Sequence, residues 1–102
     1  MKNTYPREKF VTAMSSLISP GDIRNRLMSA YVSFHPVKRS DFSSERLADR
    51  YDQIMKRLTT VTPDDPNQGI VPATVHQLDD EEAREIAEMV WSLTYDLLAE
   101  RD

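Results

Sequence analysis

In the stretch "LDDEEAREIAEMVW", Leu78 to Trp91, four consecutive carboxylates run into an apolar repeat of helical period. Asp79 is an N-cap residue, and Glu82 three places on completes a capping box. Asp80, Glu81 and Glu82 then fall in the first turn, where the helix dipole favours negative charge. Behind them come Ala83, Ile86, Ala87, Val90, Trp91, Leu93, Thr94, Leu97 and Leu98. At 100° per residue these fill an arc of about 160°, wider than a two-stranded coiled-coil seam. The spacing predicts a helix over 79–100 that touches two neighbours.

Working back along the chain, the same period recurs three times. Ser43 or Ser44 caps a helix over 44–61, with Leu47, Tyr51, Ile54, Met55, Leu58 and Val61 on one face. Phe42 is placed outside it as a staple residue. The β-branched run Thr59 to Thr62 weakens its end. Asp22 caps a helix over 22–35, with Ile23, Leu27, Ala30, Tyr31 and Phe34 in line, and Pro36 stops it. Thr4 and Pro6 open a helix over 5–19 that carries Phe10, Met14, Leu17 and Ile18. Leu47–Leu58 and Ile86–Leu97 repeat in alternating threes and fours, which favours a shallow crossing of those two helices.

Residues 62–78 hold three of the six prolines and one of the two glycines. So long a connection is unusual within a packed domain. Ile70, Val71, Val75 and Leu78 predict that it lies across the core as an extended cover. The fold expected is all-α: one domain over 1–102, a small four-helix bundle with a Pro-containing loop packed on it.

Composition agrees with that class. Hydrophobic residues make up 39% of the 102 residues and charged ones 29%, the balance of a folded domain. Two glycines are too few for the turns of a sheet. The absence of cysteine excludes disulfides and thiolate zinc sites. "MKNTYPREKF" has no apolar core of a signal peptide, and no run approaches a membrane span of about 20 residues. A cytoplasmic protein is expected.

Charge is uneven. Residues 1–58 carry 11 Lys/Arg against 6 Asp/Glu, and residues 59–102 carry 2 against 11. Arg46, Arg50 and Arg57 share a face of the third helix. On the last helix Glu81, Glu85, Glu88 and Asp96 fall away from the apolar arc and are expected to face water. Such faces are often only solvated, or they dock a macromolecule. A nucleic-acid regulator using the Arg row is one alternative. It has few cations and an overall pI near 5.1 against it.

Chemistry has little to stand on. His35 and His76 are the only histidines, and neither joins an HExxH or paired-His spacing. "DDEE" lacks the spaced ligands and turn glycine of a calcium loop. There is no phosphate loop, nucleophile elbow or cysteine nucleophile. No cofactor or metal is implied. A metal-dependent or acid/base enzyme centred on the acidic helix is the second alternative.

Trp91 lies at the edge of its apolar arc, and Met89 and Val32 fall outside their stripes. An edge tryptophan beside off-stripe apolar residues suits a protein-association hot spot, although Trp91 could equally pack under the 62–78 connection. The expectation is a non-enzymatic interaction, adaptor or regulatory module that binds a protein partner or, as a homodimer, itself. Its candidate residues are Arg46, Arg50, Arg57, Glu81, Glu85, Glu88, Met89 and Trp91.

Overall fold

A computed structural model describes residues 3–100, and the described residues are all-helical. Five α-helices follow one another: α1 Thr4–Leu17, α2 Ile23–Phe34, α3 Glu45–Arg57, α4 Ile70–Gln77 and α5 Asp80–Ala99. A single 3₁₀ turn, Arg39–Asp41, precedes α3.

The starts follow local chemistry. Asp22 accepts from the Arg24 amide at 2.8 Å, and Ser44 accepts from that of Leu47. At α5 the Asp79 carboxylate accepts from the Glu82 amide at 2.7 Å, while the Glu82 carboxylate accepts from the Asp79 amide at 3.0 Å. The opening acids therefore build a helix start. α1 begins differently from the Thr4 cap expected. Its cap is Asn3, in the left-handed region at φ 61, with no side-chain bond to the helix. The Asn3 amide instead exchanges two hydrogen bonds of 2.8 Å with Ser43, which ties the start of α1 to the entry of α3.

The connection 62–78 differs from the extended cover expected of it, because Ile70–Gln77 is a helix. Pro72 sits in its first turn, where an amide hydrogen has no intrahelical partner to lose, so the proline is tolerated. His76, expected in a loop, lies in the last turn of this helix. α4 buries Val71, Ala73, Thr74 and Val75 and packs on α2. The Thr74 hydroxyl accepts from the Val61 amide at 3.0 Å and donates to the Ile70 carbonyl at 2.9 Å. One side chain thus ties the irregular segment before α4 to the helix. The bundle therefore has five helices among the described residues, and α3 ends at Arg57 rather than at 61.

α1 and α2 form an antiparallel hairpin across the turn at Gly21, whose φ of 121 suits glycine. Arg26 donates to the Leu17 and Gly21 carbonyls and closes the end of α1. Aromatic rings fill the space between α1, α2 and α3. Phe10 stacks on Phe34 at 4.8 Å, and Tyr51 meets both edge-on. The Tyr51 hydroxyl donates to the buried Val37 carbonyl at 2.6 Å, so its polar end is satisfied. Burial pushes its pKa up to about 12.

α5 touches α1, α2 and α3. Its buried residues are Ala83, Ile86, Val90, Leu93, Thr94 and Leu97. On the wheel they span about 100°, narrower than the arc read from sequence. Trp91 and Leu98, which the wider arc included, are exposed.

Candidate functional site

α5 has two seams, and the candidate residues divide between them. The seam with α3 is antiparallel and lined by charge. Arg46 faces Asp96 and Glu100, each at 3.5 Å. Arg50, one turn on, binds the same Asp96 and donates to the Ser92 hydroxyl at 2.6 Å. Arg57 reaches Glu85 at 3.0 Å, and its second nitrogen lies 3.9 Å from the Met89 sulfur. As the arginine numbers rise their partners' numbers fall, as antiparallel helices require.

Glu85 and Asp96 were expected to point to water, and their side chains instead cross to the Arg row. Both lie on the side of α5 that faces α3, and a single-helix projection cannot show which side that is. The unfavourable Arg46–Arg50 spacing is compensated by the carboxylate they share. Arg50 is only 26% exposed, and its guanidinium lies below its ordinary pKa because of burial first and the Arg46 charge second. It remains a cation at neutral pH. A cleft of about 390 Å³ opens between Arg50, Arg57, Glu85, Glu88 and Ser92, with mixed charge on its walls. Arg39 is held likewise by Asp49 and Asp52, whose hydrogen bonds raise its pKa. Glu81 is exposed and lies outside this seam.

The seam with α1 is antiparallel too, and apolar. Arg7 closes one end, donating to the Leu97 and Glu100 carbonyls at 3.2 Å each. Beyond it the helices leave a groove of about 240 Å³ lined by Val11, Met14, Trp91, Thr94, Tyr95 and Leu98. Trp91 stacks on Tyr95 with centroids 5.4 Å apart and planes 20° from parallel. The two rings are 54% and 58% exposed, Leu98 is 55% and Val11 is 43%. Trp91 is therefore not under the 62–78 connection. Val32 is also exposed, but away from this groove.

Tyr95, Leu98 and Val11 were not among the residues singled out from sequence. A signal for them existed. Trp91, Tyr95 and Leu98 stand at i, i+4 and i+7, an outer apolar stripe alongside the inner one. Because the two stripes adjoin, the wheel merges them into one wide arc.

No protein-family model, curated protein or solved structure matches the chain. Among the described residues no group of three His, Cys, Asp or Glu side chains is placed to hold a metal ion, and no helix is long and apolar enough to cross a membrane.

Proposed function

We propose that the chain is a protein-binding module whose docking surface is the α1–α5 groove. One observation carries the reading: Trp91 and Tyr95 stack on each other in solvent, beside exposed Leu98 and Val11. Isolated exposed apolar residues are ordinary, whereas a contiguous cluster with aromatic anchors marks an interaction site. The two rings already stack on each other, and to the extent that a partner keeps that arrangement binding costs less side-chain freedom. Most of the Arg row, by contrast, bonds carboxylates of the same chain. A phosphate backbone would have to displace them, which weakens the nucleic-acid alternative.

The test is selection of helical peptides from a display library against the whole chain, with Leu98→Glu as counter-target. Enriched peptides should lose about tenfold or more in affinity on Leu98→Glu and on Trp91→Ala, as loss of a hot-spot contact does. If every enriched peptide binds both variants as well as the parent, the groove is not the docking surface.

A further inference from the structure

We infer that the cleft between α3 and α5 is a second binding site, separate from the docking groove, and that it takes a small zwitterion: an α-amino acid with an aliphatic side chain. Its two walls are chemically opposite. Arg50, Gln53 and Arg57 stand at i, i+3 and i+7 on α3 and supply N–H donors. Glu85, Glu88 and Ser92 stand at the same spacing on α5 and supply oxygen acceptors. The space between them, about 390 Å³, lies within the range of small-molecule sites. Met89 and the buried Ile54 make part of its floor apolar.

The paired groups of this seam have little to gain from a ligand, but the pairing is incomplete. Arg50 spends one nitrogen on Asp96 and another on Ser92. Arg57 spends one on Glu85 and turns another toward the Met89 sulfur, a weak acceptor 3.9 Å away. A guanidinium carries more N–H groups than these contacts use, so both arginines keep donors over. The Glu88 carboxylate is exposed, and neither it nor the Gln53 amide has a partner among the described residues.

Charge sets the class of ligand. Among the lining residues Arg50 and Arg57 balance Glu85 and Glu88, so a ligand of either net sign meets repulsion as well as attraction. Asp96, which Arg50 binds, is held by Arg46 as well. A zwitterion offers each sign to the opposite wall and breaks no internal pair. Its charges must lie close together, because Arg57 and Glu85 bring the walls within 3.0 Å. An ammonium and a carboxylate on one carbon meet that condition. The carboxylate takes the spare donors of Arg57 and Gln53, the ammonium takes Glu88, and the side chain covers Met89.

The experiment titrates the whole chain with L-leucine, N-acetyl-leucine, leucinamide and ω-aminohexanoate at low salt, followed by isotope-edited NMR at the Gln53 side-chain amide and the backbone amides around Glu88. Leucine should bind about tenfold or more tightly than either capped form, since each cap removes one charge-assisted contact. It should also outbind ω-aminohexanoate, whose charges are far apart. Glu88→Gln should erase the advantage over N-acetyl-leucine, and Arg57→Gln the advantage over leucinamide, with the rest of the spectrum unchanged in both variants. Absence of leucine binding at millimolar concentration overturns the inference. So does equal or tighter binding of a capped form or of ω-aminohexanoate, and so does leucine binding that both variants leave unchanged. None of these results bears on the α1–α5 groove, which the peptide selection tests separately.

Discussion

The two seams of α5 use one geometry with different chemistry. Both are antiparallel, and each is bridged by arginine from the neighbouring helix. Along α3, Arg46, Arg50 and Arg57 meet Asp96, Glu100 and Glu85, so most of the charge there is neutralised within the chain. Along α1, Arg7 bridges one end and the rest is apolar surface in water. The difference teaches where free energy for binding remains. A face whose groups already have partners has little to gain from another molecule, while exposed rings gain by leaving water.

Adjacent residues of α5 break or sustain this contrast most sharply. Leu97 is fully buried and Leu98 is 55% exposed. Leu97→Ala should cost about 2–5 kcal/mol, and Leu98→Ala about 0.5 kcal/mol or less. Urea unfolding of the two variants measures both, and similar losses would place Leu98 in the core and close the groove.

The next effect concerns the aromatic interior behind the α1 seam. Tyr51→Phe should cost about 1–3 kcal/mol, because it leaves the buried Val37 carbonyl without its donor. The same hydroxyl makes stability depend on alkali. Its folded pKa, about 12, lies above the ordinary 10.0. The protonated form is the one the fold favours, so its contribution is fully present below about pH 10 and is lost as pH rises through about 12. Unfolding curves of the parent and Tyr51→Phe should therefore converge over that window.

On the α3 seam the central pair should outweigh the outer one. Asp96→Ala removes the partner of both Arg46 and Arg50 and should cost about 1–2 kcal/mol. A double-mutant cycle with Arg50→Ala separates the pair from the helix. Arg57→Ala removes a half-exposed pair and should cost about 0.2–1 kcal/mol, much of it screened in high salt. Equal and salt-insensitive losses at Asp96 and Arg57 would erase the distinction between the centre of the seam and its end.

Much of the fold was legible in residue spacing. Periodicity and caps located α1, α2, α3 and α5, since Asp22, Ser44 and the Asp79–Glu82 box act locally. α4 was missed because its eight residues include Pro72, and a short apolar run of that kind reads equally as extended cover. Asn3 was invisible as a cap because its partner, Ser43, is forty residues away. The site was half legible. Trp91 was found as an edge residue, and the Arg row as a face. Which carboxylates the Arg row meets depends on the placing of α3 against α5, and Val11 joins the groove only because α1 runs antiparallel to α5. Those are relations between helices, and a single-helix wheel does not contain them.

The exposed, irregular segment between α3 and α4 has one further consequence. It divides a part of net charge +5, residues 1–58, from a part of net charge −9, residues 59–102. Cleavage there by a protease leaves each fragment with one wall of the α3 and α1 seams, and with opposite sign. The two pieces are therefore suited to recombine without a peptide link, as a split reporter does, and low ionic strength should speed their reassembly.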